Sequence, residues 1–241
     1  MLVRFRTALR TVAEYAFHLV APYHCCICRQ PVEARTVLER YVCRPCWENL
    51  PLAPPPERLY NELLCTFPGD ELALSGLGAL FALAEGSPPM ELIYAVKYRG
   101  AFPLGRALGQ ALGAVLPQLV PHQLDAVIPV PIHPARRRER GYNQAEAIAA
   151  GVAESCALPL LRDALCRRVA TPSQTQLTAE QRRRNVLGAF AAGREAPVVR
   201  ARTVLLVDDV VTTGSTLNSC ALALLSLGAR RVFAIALVKA S

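Results

Sequence analysis

From Leu72 onward, short and nearly continuous apolar runs alternate with longer stretches in which apolar positions return every three or four residues. The first pattern reads as buried strands and the second as helices packed against them. Leu72–Leu83 is extended, with glycines inside it. Ser87-Pro88-Pro89 then opens a helix, with Ser87 as N-cap and proline in the first turn. That helix puts Leu92, Ile93 and Val96 on one face and ends near Arg99-Gly100; a second runs from about Leu104 to Leu116. Asp125–Val130 is a short strand stopped by Pro131. A basic loop, IHPARRRERGY, leads to Asn143-Gln144-Ala145-Glu146, which resembles a capping box opening a helix to about Cys156. Leu160–Val169 reads as a strand, Ala170–Asn185 as a polar stretch with few apolar anchors, and Arg202–Val207 as a strand. A helix over Gly214–Leu227 and a strand over Arg231–Val238 complete the series. Strand–helix–strand repetition of this kind predicts an α/β fold, a largely parallel Rossmann-like sheet with helices on both faces.

The first residues follow a different pattern. Residues 1–20 read as an amphipathic helix, because Arg4, Arg6, Arg10, Glu14 and His18 interrupt the apolar positions. Residues 21–50 form a cysteine-rich module, 51–56 (PLAPPP) a stiff proline-rich linker, and 57–241 the α/β domain. Leu72–Ala84, the longest apolar stretch, contains Ser75 and two glycines and falls short of the roughly 20 apolar residues a membrane span needs. No small-residue cleavage site follows the N-terminal segment, so a cytoplasmic protein without a transmembrane segment is expected.

Composition sharpens this only in places. The net charge is +8, and of 27 basic residues only Lys97 and Lys239 are lysine. Guanidinium forks suit phosphate groups, so an anionic ligand or nucleic acid is compatible, although a solvated basic surface accounts for the total equally well. The clusters Arg136–Arg138 with Arg140, and Arg182–Arg184, are more specific. Five of the nine cysteines fall between Cys25 and Cys46. Cys25-x₂-Cys28 and Cys43-x₂-Cys46, fourteen residues apart, can offer four thiolates to a tetrahedral Zn²⁺, a closed structural site. Cys26 competes with Cys25, but only Cys25 keeps the two-residue spacing. A redox pair or inert thiols is the alternative.

The most informative segment is VLLVDDVVTTGSTL, Val204–Leu217. A fully apolar strand runs straight into two carboxylates, Asp208 and Asp209, an expensive arrangement unless the strand surfaces into a site. Carboxylates there can accept hydrogen bonds from sugar hydroxyls or hold Mg²⁺ through water. Thr212, Thr213, Ser215 and Thr216 then surround Gly214 at a helix entrance, where amide groups and the helix dipole favour a phosphate. Diol acceptors and a phosphate cradle a few residues apart suit a ribose 5-phosphate. A polar turn capping a helix is the plainer alternative for each piece taken alone.

LLVDDVVTTGST resembles the fingerprint of the type I phosphoribosyltransferases. AVKYRG (95–100), IPVPIHPARRRERGYNQAE (128–146), QLTAEQRRRNVLGAF (176–190) and the paired CxxC knuckles narrow the resemblance to the ComF family, over nearly the whole chain. The resemblance implies a phosphoribosyltransferase-type sheet preceded by a small zinc-ribbon module, with phosphoribosyl pyrophosphate and Mg²⁺ as ligands. It assigns the ribose hydroxyls to Asp208 and Asp209, and the 5-phosphate to Thr212, Thr213, Gly214, Ser215 and Thr216. It also assigns pyrophosphate to the loop after Asp125–Val130, where Arg140 and Gly141 look most site-like, and a phosphate contact to Lys97. Ala170–Asn185 resembles the loop that closes over substrate in this fold, with Arg184 and Asn185 at its end. The family's link to competence adds single-stranded DNA or the DNA-uptake machinery as partners. Two functions follow: transfer of the phosphoribosyl group to an acceptor, or binding of phosphoribosyl pyrophosphate and single-stranded DNA without turnover.

Overall fold

The cysteine-rich segment and the segment that follows it fold around different principles, one a cluster of sulfurs and the other a buried sheet. The computed structural model describes residues 23–67, 69–83, 88–98, 101–120, 123–167 and 189–240. The helix expected at 1–20, the cap Ser87, the pair Arg99-Gly100 and the lid expected at 170–185 lie outside them. The chain divides into two units, one ending at Leu50 and the other beginning at Pro51.

In the first unit β1 (Tyr23–His24) pairs antiparallel with β2 (Pro31–Val32), and α1 (Arg44–Glu48) follows. Each Cys-x₂-Cys makes a tight turn closed by main-chain bonds: Arg29 N–H donates to Cys25 C=O at 2.9 Å, and Trp47 N–H to Cys43 C=O at 3.0 Å. The Cys26 amide ties the two turns together through Tyr41 C=O at 2.8 Å.

The second unit runs α2 (Pro56–Thr66), β3 (Gly76–Ala82), α3 (Pro88–Tyr98), α4 (Phe102–Ala114), α5 (Leu116–Leu119) and β4 (Ala126–Pro129). It continues α6 (Pro134–Arg140), α7 (Gln144–Ser155), β5 (Leu165–Arg167), β6 (Phe190–Ala192), β7 (Thr203–Val211), α8 (Ser215–Ser226) and β8 (Arg231–Lys239). Four strands form a wholly parallel sheet in the order β3-β8-β7-β4. A central parallel strand is covered on both sides, and Val204–Val207 of β7 are accordingly 0% exposed. Val204 and Leu206 join a core with Leu59 and Leu63 of α2 and Cys220 and Leu224 of α8. On the other face α7 packs on β4 and β7, with α4 against α7. Among the described residues no helix is long and apolar enough to cross a membrane.

Four expectations need correction. The basic loop contains a helix, α6, because the His133 side chain accepts the Ala135 amide, Pro134 starts the first turn, and Gly141 ends the helix at φ 81°. None of its residues is buried, so no apolar period announces it. Leu160–Val169 is not one continuous strand: Leu160 bridges β4 at Val127, the chain turns, and among the described residues of this stretch Leu165–Arg167 pair antiparallel with β6, 168–169 lying outside them. The central strand does not stop at Val207 but continues to Val211, since β8 keeps pairing with it, Asp208 opposite Ala236 and Val211 opposite Lys239. The capping box is half formed: Asn143 Oδ1 accepts the Ala145 amide at 3.1 Å, while Glu146 pairs with Arg162 at 3.1 Å and Arg137 at 3.5 Å.

The α4–α7 contact rests on glycine. A Cβ on Gly109 would stand 2.0 Å from the Ile148 carbonyl oxygen, and one on Gly151 2.0 Å from that of Arg106. Both obstacles are main chain and cannot swing away. Gly151→Ala should therefore destabilise the protein by about 2 kcal/mol or more, read as a lower urea midpoint. Gly141→Ala, with nothing within 4 Å of its Cβ, should cost only the strain of its positive φ.

Candidate active site

The site is built where β7 emerges from the core. Side chains alternate along a strand, so Asp208 and Asp209 face opposite sides of the sheet despite being neighbours. Asp209 is 6% exposed and meets Lys97 of α3, Oδ2 to Nζ 2.8 Å, with side chains 9% and 19% exposed. Its Oδ1 accepts the Val210 amide at 2.8 Å. Asp208 keeps part of its surface at the rim, but its carboxyl group is closely surrounded. Burial first, and then the charge of Asp209, push it well above the ordinary value of 3.8; its bond from the Asp209 amide and the more distant Lys97 only partly compensate. The two acids are thus unequal, one neutralised by an ion pair and the other costly to ionise.

Beyond Val211 the chain turns at Gly214, whose φ of 78° is left-handed and whose Cβ would lie 2.5 Å from Leu63. The N-cap residue of α8, Gly214, offers no side chain to its first turn. Thr213 Oγ1 bonds Ser215 Oγ at 2.8 Å and reaches the Ser215 amide only at 3.4 Å. Asp208, Thr212, Thr213, Gly214, Ser215 and Thr216 line a cavity of about 40 Å³. By the same measure one water needs about 10–15 Å³, so the cavity has room for a compact anionic group.

The last turn of α3 faces this strand end with three successive residues. Val96 C=O accepts the Tyr142 hydroxyl, Lys97 pairs with Asp209, and the Tyr98 ring lies 5.4 Å below the Arg140 guanidinium. Arg140 Nε is buried without a hydrogen-bond partner. Asn143, 5% exposed, donates to Val130 C=O at 3.0 Å and so joins the end of β4 to the start of α7. From the other side comes Arg167 on β5, its guanidinium 5.4 Å from the Phe190 ring. Burial, and next the positive charge of Arg136, hold Arg167 below its ordinary value, while Cys220 and Asp208 act the other way. Lys97 of α3 and Arg167 of β5 therefore approach the acidic strand end from two sides. Arg167 and Asn143 were missed in the sequence; the Asn before a helix pattern signalled a cap, but nothing local signalled its second bond.

In the first unit the sulfurs of Cys25, Cys28, Cys43 and Cys46 all lie within 4.8 Å of one another. Cys28 and Cys43 are 3.7 Å apart, close to the ~3.8 Å between thiolates around a tetrahedral ion with Zn–S bonds of about 2.3 Å. Cys26 is outside the quartet. Burial would raise the Cys25 thiol, but amides of Cys43, Cys28 and Ile27 aimed at its sulfur bring it down to about 6. Such N–H···S bonds favour thiolate, as a metal ligand requires.

The chain is similar to known proteins over much of its length. The phosphoribosyl transferase domain family matches residues 138–241. Over 158 residues, 64% of this chain and 68% of the relative, the protein is 34% identical to "DNA utilization protein YhgH" of Escherichia coli O157:H7. It is 36% identical over 145 residues to "Competence protein F" of Haemophilus influenzae, a match covering 58% of this chain and 63% of that protein, slightly under two thirds of its length. The chain belongs to the ComF family. A solved glutamine phosphoribosylpyrophosphate amidotransferase from B. subtilis is 22% identical, with a TM-score of 0.41, covering 60% of this chain and 30% of that one. In this ComF-family protein the domain match begins inside α6, so Lys97 and Tyr98 lie ahead of it.

The unequal acids predict opposite effects on stability. The folded Asp208 carboxyl holds its proton above the pH at which the unfolded one releases it, so stability falls as pH rises through the window above 3.8. Asp208→Asn should raise stability at neutral pH by about 1 kcal/mol. Asp209→Asn strands the Lys97 ammonium and should lower it by about 3 kcal/mol. Urea unfolding at neutral pH measures both; two losses of equal size would contradict the assignment.

Proposed function

We propose that this ComF-family protein binds phosphoribosyl pyrophosphate with Mg²⁺ at the carboxyl end of β7 and transfers its phosphoribosyl group to an acceptor, in connection with DNA uptake or nucleotide metabolism. The observation that carries this reading is the junction itself: two carboxylates on the strand end, a left-handed glycine, and a helix start whose N-cap offers no side chain, around a phosphate-sized cavity. Asp208 and Asp209 would accept the ribose hydroxyls, and the amides and hydroxyls of Thr212–Thr216 would hold the 5-phosphate. Arg136, Arg140 and Arg167 supply positive charge for the pyrophosphate, which carries away the electron pair as the C1–O bond breaks and the nucleophile bonds to C1. The site is oxygen-rich with one rim carboxylate, which fits Mg²⁺ shared with substrate phosphates and water; when bound, the ion neutralises the leaving charge. Lys97 of the KYRG segment is already engaged by Asp209, so a phosphate contact there requires the ammonium to serve both.

The relatives named for DNA use and competence, together with the exposed Arg137 and Arg138 on α6, support a second reading in which phosphoribosyl pyrophosphate is bound without turnover while single-stranded DNA is engaged. Release of pyrophosphate with nucleobase or amine acceptors supports transfer; tight binding without release supports the second reading.

Titration calorimetry with phosphoribosyl pyrophosphate and Mg²⁺ tests the site. Asp208→Ala removes a charge-assisted acceptor and should weaken binding by about one to two decades. Thr213→Val should cost less than Gly214→Val, which places branched carbon where Leu63 already leaves 2.5 Å. A folded Asp208→Ala/Asp209→Ala protein that binds as tightly as the parent would put the site elsewhere. We further propose that the cysteine quartet holds one structural Zn²⁺. Metal analysis should find about one zinc per chain, lost in Cys43→Ser and kept in Cys26→Ser.

A further inference from the structure

Lys97 sits ahead of the matched domain and is one of only two lysines, yet its ammonium lies 2.8 Å from Asp209 at the acidic strand end. We infer that Lys97 is a positioning residue for the ribose site, acting on the sugar hydroxyls through the Asp209 carboxylate and making the last turn of α3 part of that site. The inference rests on the reading of the strand end as a phosphoribosyl site.

Three observations support it. An ammonium 19% exposed, facing a carboxylate 9% exposed at 2.8 Å, is mostly withdrawn from water, and such a pair is held by its geometry rather than by diffuse attraction. The pairing also leaves Asp209 suitably poised. Oδ2 is fully buried in ion contact with the Lys97 ammonium at 2.8 Å, without hydrogen-bond alignment, and Oδ1 accepts the Val210 amide, so the remaining lone pair of Oδ1 is where a hydroxyl donor would reach this carboxylate. Finally, Lys97 cannot drift, because its two neighbours are also anchored. Val96 C=O takes the Tyr142 hydroxyl, and Tyr98 carries the Arg140 guanidinium. The Phe102 ring packs edge-on to Tyr142, 5.5 Å between centroids, closing the same corner.

The mechanism makes a distinction that can be measured. A lysine that touches the ligand directly contributes separately from Asp209, whereas one that acts through Asp209 contributes nothing once that carboxylate is gone. The full-length parent, Lys97→Met, Lys97→Arg, Asp209→Asn and Lys97→Met/Asp209→Asn are titrated with phosphoribosyl pyrophosphate and Mg²⁺, with circular dichroism confirming the fold of each. Lys97→Met should weaken binding by about tenfold or more, and Lys97→Arg, which keeps the charge, should recover most of it. The double variant should bind no more weakly than Asp209→Asn alone. It also carries no stranded charge, so it tests the coupling even if Lys97→Met alone folds poorly. Parent-like affinity in Lys97→Met, an Arg variant as weak as Met, or losses that multiply in the double variant would each overturn the inference. No binding by the parent protein would instead overturn the phosphoribosyl reading itself.

Discussion

Successive residues on a strand face opposite ways, and two successive carboxylates end the central strand of this sheet. Everything around the site follows from that constraint. Asp209 is turned towards α3 and α7, where it is nearly enclosed, so the fold must bring a cation to it; Lys97 is that cation. Asp208 is turned towards α8 and β5, where Cys220 offers no charge and Arg167 is itself repelled by Arg136. One acid is met by a cation, and the other, hydrogen-bonded by the Asp209 amide, lacks a paired cation. A carboxyl group that is costly to ionise beside a small open cavity suits a site for a polyhydroxylated ligand, and it costs the empty protein stability.

The elements with strong apolar patterning were legible along the chain. The parallel strands, α3, α4, α7 and α8 depend on burial of continuous or periodic apolar faces, and those faces are written locally. What escaped is mostly what burial does not dictate, although α2, which buries Leu59 and Leu63, also went unread behind the proline-rich segment. The exposed helix α6 has four arginines and no apolar stripe, and its only local signs are His-Pro before it and Gly after it. The extension of β7 through Asp208 to Val211 is decided by its partner β8, since carboxylates lower strand propensity and only the continuing ladder keeps them extended. The short β5 depends likewise on β6, far along the chain.

The site divides in the same way. The acid pair and the hydroxyl-rich loop are contiguous because a sugar phosphate can be met by one strand end, one turn and the amides of one helix. The cysteine quartet is readable because two tight turns impose the Cys-x₂-Cys spacing. Lys97, Arg140, Asn143 and Arg167 come from different elements, and each has a plain local explanation: a helix-end lysine, part of a basic run, a cap, a strand cation. Their joint meaning exists only once the sheet order sets β4 beside β7 and α3 above both.

This division bears on what such a fold can vary. On the proposed reading, recognition of the ribose phosphate would be carried by main chain and by side chains within one short segment that tolerates little change: Gly214 is forced by both its φ and the proximity of Leu63. The surrounding wall is made of single side chains on separate elements, each replaceable without breaking the strand–turn–helix. The aromatic and cationic residues on that wall, Tyr98, Phe102, Arg140 and Tyr142, contact one another rather than the loop. Differences among chains of this fold in what they accept from, or deliver to, the sugar should therefore reside in that wall, while the acidic strand end and its glycine turn stay the same.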